Sequence, residues 1–306
     1  MLTQETEDYW IWNDNTLVFK PEFNKPLDDY INIISKYDKL IFSNYMDIDI
    51  CIETNNLPQN ITYLSFGNNF NQEVNNLPPN ITHLTFGERF NQEVNNLPPN
   101  ITHLTFGHYF NQEVINLPPN ITHLTFGACF NQEVINLNLN ITHLTFDFCF
   151  NQEVNNLPPN ITHLTFGFSF NQKVDNLPPN ITHLTFGKYF NKQVNIPFSV
   201  KYLKLDCNNQ NIIDYLPDSI EELELDYKFN LELNNLPISL KKLSFDKNSN
   251  YNKNLNCLPK KLELLQLPFN YKLEIKNVPN GLKKVICYKN YKYIDNFKDL
   301  EIETYE

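Results

Sequence analysis

The sequence has almost no alanine or arginine. Its 306 residues include one of each, Ala128 and Arg89, together with 7 glycines, 2 methionines and 19 prolines. Alanine is the strongest helix former and proline the strongest helix breaker, so this composition argues against a mainly helical protein. Lys and Arg number 24 against 35 Asp and Glu, a net charge of −11. We therefore expect no nucleic-acid partner, because binding the phosphate backbone requires clustered basic residues.

Targeting and metal-binding signals are also missing. The chain starts with acidic and polar residues rather than with a basic and then apolar signal peptide. It has no apolar run of the length that a transmembrane helix needs. The six cysteines form no Cys-x-x-Cys pair: Cys51, Cys129, Cys149, Cys207, Cys257 and Cys287. We expect a cytoplasmic protein with reduced thiols, no cofactor and no membrane partner.

A repeat of 20 residues dominates the chain. Residues 55–194 are seven consecutive copies close to Asn-Asn-Leu-Pro-Pro-Asn-Ile-Thr-His-Leu-Thr-Phe-Gly-x-x-Phe-Asn-Gln-Glu-Val. Degenerate copies of the Leu-x-Phe pair extend the array to Leu17 upstream and to Val285 downstream, which gives about 14 turns. The Asn-Ile-Thr of each copy is formally a glycosylation acceptor, but we interpret it as part of the repeat.

Each copy has room for one strand and an extended return. In Ile-Thr-His-Leu-Thr-Phe the His and Thr point outward while Leu and Phe point inward, the alternation of a short half-buried strand. The Leu-Pro-Pro that precedes it cannot continue a helix. One copy buries too little alone, as Leu77, Ile81, Leu84, Phe86, Phe90 and Val94 illustrate. Neighbouring copies must therefore stack into a solenoid with one parallel sheet.

The residue after each strand is Gly or Asp, for example Gly67, Gly87 and Gly107, or Asp147 and Asp206. Both residue types tolerate the left-handed region of backbone space. We therefore predict a positive φ at this corner of every turn.

The pattern Phe-Asn-x-x-Val/Ile…Leu-Pro-x-x-Ile-x-x-Leu-x-Phe resembles the FNIP repeat of social amoebae and of giant DNA viruses that infect amoebae. That family is regarded as leucine-rich-repeat-like, and the resemblance covers residues 17–287. It implies a right-handed, curved solenoid, and the host cytoplasm as the location if the source is viral. By analogy with leucine-rich repeats, Asn91 and its equivalents would form an inward ladder between turns. Many relatives carry an F-box, but residues 1–40 show no such pattern.

We predict three regions: an N-terminal cap or tail at 1–16, the solenoid at 17–287 and a C-terminal cap at 288–306. Trp10 and Trp12 would pack over the first turn, or else belong to a free tail. Leu300 and Ile302 would cover the last turn, because an open sheet edge invites pairing with another chain.

One candidate binding surface is a column of outward imidazoles. Its members occupy the same strand position in six copies: His83, His103, His123, His143, His163 and His183. A straight row lacks the converging directions that a zinc site needs, so we predict no metal and favour stacked neutral rings that resist protonation. Rows of threonine, such as those of Thr82 and Thr85, leave ice binding as a weaker alternative.

A second candidate surface lies after the corner residue, where otherwise identical copies differ. The large side chains there are Tyr109, Phe148, Phe168 and Tyr189. Phe148 and Phe168 are predicted to form an exposed aromatic pair, which would favour contact with a partner. Cys129 and Cys149 occupy this edge in adjacent turns, where the Cα spacing would permit a disulfide, but an intracellular setting argues against one.

The charge differs along the chain. Residues 1–190 carry 7 basic and 19 acidic residues, whereas residues 191–306 carry 17 and 16. The repeated glutamates, such as Glu93, are identical by copying and are not the paired carboxyls of acid–base catalysis. We predict a monomeric, non-enzymatic scaffold that binds an unidentified protein partner. A substrate adapter of a ubiquitin ligase is the main alternative.

Overall fold

The computed structural model describes residues 2–13, 15–23, 25–43 and 57–305. Cys51 and the first two residues of the repeat array, 55–56, lie outside this part of the chain. The chain divides into two compact units, Met1–Gln152 and Glu153–Glu306. In the described ranges, no helix is both long and apolar enough to cross a lipid bilayer.

The described residues of the first unit form nine strands and two short helical segments. The strands are β1 (Leu2–Glu5), β2 (Tyr9–Trp12), β3 (Thr16–Phe19), β4 (Lys39–Phe42), β5 (Tyr63–Ser65), β6 (His83–Thr85), β7 (His103–Thr105), β8 (His123–Thr125) and β9 (His143–Thr145). A 3-10 helix at Leu27–Tyr30 and α1 at Ile31–Ile34 lie between β3 and β4. From β3 to β9 each strand pairs in parallel with the next, so that Leu84 faces Leu104 and His83 faces His103.

Residues 2–12 form antiparallel strands, with β1 paired to β2 and β2 paired to β3. Ile11 is the buried side chain of β2, whereas Trp12 on the same strand is 43% exposed. The prediction that Trp12 packs over the first turn is therefore wrong, because strand alternation places Ile11 inward instead. The proposed boundaries of the caps stay a prediction.

The second unit contains eight strands in a parallel series. They are β10 (His163–Thr165), β11 (His183–Phe186), β12 (Tyr202–Leu205), β13 (Glu222–Leu225), β14 (Lys242–Phe245), β15 (Leu264–Gln266), β16 (Lys284–Tyr288) and β17 (Glu301–Tyr305). Helix α2 (Gln210–Asp214) follows β12, and a 3-10 helix at Ile294–Phe297 precedes β17. Ile302 pairs with Val285, so the C-terminal segment adds a further parallel strand.

Each unit is a β-solenoid with one parallel sheet, and strands β3 to β16 mark 14 turns. This confirms the fold class that the repeat predicts. The predicted inward residues are buried: in the turn of β6, Ile81, Leu84 and Phe90 are each at most 1% exposed. Phe86 stacks on Phe90 at 3.8 Å within its turn and on Phe106 at 5.6 Å in the next. Copying the same side chain therefore produces continuous apolar spines through the core.

The glycine corner differs from the prediction. In the described residues no glycine has a positive φ, and the non-glycine exceptions are Asn13 and Asn136. The reason for glycine is close approach between turns: a Cβ on Gly107 would lie 2.0 Å from the carbonyl oxygen of Gly87. Gly67 is less crowded, with 3.3 Å to the nearest carbonyl oxygen, that of Ser43.

Asparagine and glutamine side chains join successive turns. The side-chain oxygen of Asn91 accepts the backbone N–H of Asn111 at 2.9 Å, and Asn111 does the same for Asn131 at 2.8 Å. Gln112 donates its amide to the carbonyl of Asn91 at 3.0 Å. The ladder expected by analogy is therefore present, but Asn91 and Asn111 are half-buried rather than in the core. Its bonds satisfy backbone groups of the return segment, which contains no strand.

The asparagine of Asn-Ile-Thr has a structural role. Asn100 donates its side-chain amide to the carbonyl of Pro79 at 2.9 Å, and Asn120 donates to that of Pro99 at 3.0 Å. These bonds connect each return to the preceding turn. The interpretation of Asn-Ile-Thr as part of the repeat accords with them.

Candidate binding surfaces

The histidines of the first unit form a stacked column on the outer face of its sheet. The ring centroids of His83 and His103 are 4.2 Å apart, those of His103 and His123 4.1 Å, and those of His123 and His143 4.0 Å. Tyr63 continues the column at 5.8 Å from His83. In-register parallel pairing places identical side chains opposite each other, and the flat rings fill the spacing between strands.

The second unit repeats this arrangement on a smaller scale. His163 and His183 stack at 4.1 Å, and Tyr202 follows His183 at 5.4 Å. Beyond Tyr202 the outer face of the sheet carries charged side chains instead of imidazoles. Lys204 and Glu224 form an ion pair at 2.8 Å, and the Tyr202 hydroxyl donates to Glu224 at 2.7 Å. Later turns carry similar ion pairs, from Lys242 to Glu222 at 3.4 Å and from Lys283 to Glu263 at 2.7 Å.

The threonine before each histidine holds its ring. Nδ1 of His103 lies 2.9 Å from Oγ1 of Thr102, and the same hydroxyl donates to the carbonyl of Thr82 at 3.1 Å. The hydroxyls of this threonine row are thus engaged inside the protein. That engagement weakens the ice-binding alternative, which would need them to face water or ice.

Burial lowers the pKa of three imidazoles in the column. Burial, followed by the like charge of neighbouring histidines, lowers the pKa of His123 to about 4. Burial also lowers the pKa of His83 and of His103. Stacked rings point in the same direction instead of converging, and within the described residues no group of three or more His, Cys, Asp or Glu could hold a metal ion.

The edge that follows each strand exposes aromatic side chains. Tyr109 is 53% exposed and Phe148 is 47% exposed in the first unit, and Tyr189 is 54% exposed in the second. Phe168 at this edge is half-buried rather than exposed. Part of its ring is covered by Lys188, whose Nζ lies 4.6 Å from the ring centroid. The ring of Tyr189 also meets it edge-on at 4.9 Å. Phe168 is therefore less exposed than predicted, and its pairing with Phe148 stays a prediction.

Lys188 belongs to a cationic and aromatic cluster that sequence reasoning missed. The proximity of the Lys228 ammonium lowers the pKa of Lys188. The two lysines line a pocket of about 280 Å³ together with Asp206. Burial raises the pKa of Asp206 to about 6, and its Oδ1 has no hydrogen-bond partner within the described residues. The sequence signal was faint, since these residues lie in different copies and in no common motif.

A groove in the first unit was also missed. Its volume is about 520 Å³, and its lining includes Glu113, Ile115, Glu133, Ile135 and Asn136. The two isoleucines are 65% and 62% exposed. The sequence does carry a signal here, because other copies have Asn or Asp in place of these isoleucines.

The fold and its surfaces define a leucine-rich-repeat-like solenoid protein. The model of the FNIP Repeat family matches residues 51–88, 73–109, 93–129, 110–149, 150–176, 170–208, 192–228 and 208–248. The chain therefore belongs to the FNIP repeat family. The turns outside residues 51–248 are assigned to the solenoid by their strand pairing.

A solved structure supports the same fold. It is titled the crystal structure of CroV588, a novel circular leucine-rich-repeat protein structure, and it comes from a giant virus. The similarity has a TM-score of 0.72 and 35% sequence identity, and it covers 93% of this chain and 51% of CroV588. This chain thus spans about half the length of CroV588. A comparison with curated proteins finds no match.

Proposed function

We propose that this protein is a non-enzymatic scaffold that binds a protein partner through its repeat surface. The observation that carries the proposal is the contrast between a constant backbone and variable side chains at the edge after each strand. Tyr109 donates its backbone N–H to Glu88 at 2.8 Å, and Cys129 does the same to His108 at 2.8 Å. The backbone geometry is thus shared while the exposed side chains differ, which is how repeat proteins present a binding surface.

The exposed rings of Tyr109 and Phe148 support a protein partner. Aromatic residues bring large contact areas with little loss of side-chain entropy, and they dominate many protein interfaces. The proposal assigns no cofactor, no nucleic acid and no membrane to this surface. We also propose that the scaffold is a cytoplasmic monomer. The five cysteines in the described ranges carry free thiols, which is consistent with a reducing compartment.

The ubiquitin-ligase alternative has less support. The described residues between positions 2 and 42 form strands β1 to β4 and two short helices that belong to the first unit. Copurification of a Skp1-like protein would nevertheless favour that alternative.

The test is chemical cross-linking and affinity purification from the cells in which the protein is normally made. The test variant is the double substitution Tyr109→Ser and Phe148→Ser, and the matched control is Tyr215→Ser, since Tyr215 is 75% exposed but lies beside α2. We expect a partner that the wild type and the control recover equally and that the test variant recovers at least about fivefold less, in line with the loss of aromatic interface residues. Equal recovery by all three proteins would remove this edge from the interface.

A further inference from the structure

We propose that the groove beside Ile115 and Ile135 binds an extended protein segment in which an aliphatic side chain is flanked by Lys or Arg. This inference rests on the proposed scaffold function and names the chemistry of one partner segment. It concerns a surface separate from the aromatic edge, so the two can be tested independently.

The apolar part of the groove departs from the repeat. Ile115 and Ile135 occupy the same place in adjacent turns and are mostly exposed. The corresponding residues elsewhere are polar: Asn75, Asn95, Asn155 and Asp175. Because this place is solvent-facing in every copy that the structure describes there, the change to isoleucine contributes nothing to the core. Two neighbouring aliphatic side chains over a groove instead create apolar surface that a partner could bury.

The same substitutions also free two carboxylates. Elsewhere the asparagine donates to the glutamate two residues earlier, from Asn75 to Glu73 at 3.0 Å and from Asn95 to Glu93 at 3.1 Å. Isoleucine cannot donate this bond. Within the ranges that the structure describes, Glu113 and Glu133 consequently have no hydrogen bond or ion pair.

Charge selects the class of partner. Residues 1–152 carry 5 Lys or Arg against 17 Asp or Glu, a net charge of −12. A basic segment would be attracted to this unit, whereas an acidic one would be repelled. Within the groove, the glutamates lie beside the isoleucines, so a Lys or Arg could pair with a carboxylate while its neighbour contacts the aliphatic surface. The long stems of Lys and Arg suit this arrangement because they cover apolar surface while the charged head stays in water.

The backbone of the groove is also unusual. Asn136 lines it and has a φ of 59°, in the left-handed region. The corresponding Asn96 and Asn116 have no positive φ. Non-glycine residues in this region concentrate at functional sites, where the local shape has a purpose. The groove therefore combines an apolar pair, two free carboxylates and a local backbone that the other copies do not have.

The experiment measures binding of a fluorescein-labelled peptide, Gly-Lys-Leu-Lys-Leu-Lys-Gly, to the full chain by fluorescence anisotropy at low ionic strength. The test variant is I115N/I135N, which restores the side chain that other copies carry. The matched control is I238N, because Ile238 is an isoleucine in the second unit that is 65% exposed. Circular dichroism melts check that all three proteins fold alike. Two control peptides replace Leu by Ser or Lys by Glu.

We expect I115N/I135N to bind the Lys–Leu peptide about tenfold more weakly than the wild type, the effect of losing the burial of one or two aliphatic groups. I238N should bind like the wild type, and both control peptides should bind more weakly than the Lys–Leu peptide. The variant E113Q/E133Q should weaken binding and reduce its dependence on salt.

Three results would overturn the proposal. One is equal affinity of the wild type and I115N/I135N for the Lys–Leu peptide, and another is equal affinity of the wild type for all three peptides. The third is concentration-dependent self-association of the wild type that I115N/I135N abolishes in light scattering, since the occupant would then be a second copy. None of these results bears on the proposal for the aromatic edge. Failure of that proposal would appear instead as unchanged partner recovery by the Tyr109→Ser and Phe148→Ser variant.

Discussion

Replacing a corner glycine with alanine distinguishes two explanations of why glycine occupies that position. If glycine were needed for a positive φ, alanine would be equally harmful at every corner. If it is needed because turns approach closely, the cost depends on the space at each corner. Gly107→Ala places a Cβ 2.0 Å from the carbonyl oxygen of Gly87 and 2.9 Å from Cα of Glu88, contacts that require backbone movement. Gly67→Ala places it 3.3 Å from the carbonyl oxygen of Ser43, which a small shift relieves.

The magnitudes follow from these distances. The contact at Gly107 is more than an ångström shorter than ordinary van der Waals contact, so the two turns must separate locally. The hydrogen bond from Tyr109 N–H to the Glu88 carbonyl, at 2.8 Å, lies beside the clash and would lengthen. We expect Gly107→Ala to lower the free energy of unfolding by about 1–3 kcal/mol, the usual cost of overpacking. Gly67→Ala should change it by less than about 0.5 kcal/mol, because alanine also restricts the unfolded chain.

Urea unfolding measures both variants against the wild type. The fluorescence of Trp10 and Trp12, which are the two tryptophans of the chain and belong to the first unit, reports on the unit that carries both substitutions. Far-UV circular dichroism checks that the slope with urea is unchanged, since a change in slope would mean that partly folded turns accumulate. Equal shifts of the midpoint for Gly67→Ala and Gly107→Ala would refute the explanation by close approach.

Two further predictions concern the histidine column and the paired cysteines. The pKa of His123 is lowered from 6.5 to about 4, so the unfolded chain takes up its proton first and stability should fall as the pH drops from 6.5 towards 4. Allowing for partial exposure, we expect the free energy of unfolding to fall by about 1 kcal/mol between pH 7.5 and pH 5. In His123→Gln this loss should be absent when melts at the two pH values are compared. Equal pH dependence of the wild type and the variant would contradict this. The side chains of Cys129 and Cys149 interact, so mild oxidation should link them in a disulfide detectable by peptide mass spectrometry, and recovery of only unlinked peptides would contradict it.

The fold was predictable because each copy preserves the same buried positions, even where the rest of its sequence differs. Leu84 and Phe86 are buried in one copy, and Leu203 and Leu205 are buried in a copy that shares few other residues. Alternation within the strand sets which side faces inward, and stacking then sets the register, since only in-register pairing buries every copy. These two rules suffice to predict the sheet and the apolar spines, as well as the stacked histidines.

The binding surfaces were less predictable, because exposure at an edge depends on neighbours in three dimensions. Phe168 was expected to be as exposed as Phe148, yet Lys188 from the next turn lies over its ring. The charged cluster with Lys228 joins residues from turns two apart, which no motif within one copy reveals. The prediction of a positive φ at the corner glycine was wrong for a related reason. A glycine in the sequence is equally compatible with an unusual φ and with close approach of the backbone, and only the distance between turns distinguishes the two.

Departures between copies differ in what they can reveal. At the edge after the strand, Ala128 replaces the His108 of the preceding copy. The His108 carbonyl accepts the backbone N–H of Cys129 at 2.8 Å, and the Ala128 carbonyl accepts that of Cys149 at the same distance. Such a change leaves the backbone bond intact, so a binding role at this edge rests on recovery of a partner. The change to Ile115 and Ile135 is different, because it exposes apolar surface and removes a hydrogen-bond donor in two adjacent turns together. A paired change with a cost in water and no benefit to the core is better explained by a partner that offsets the cost, which makes the groove the more informative surface to test.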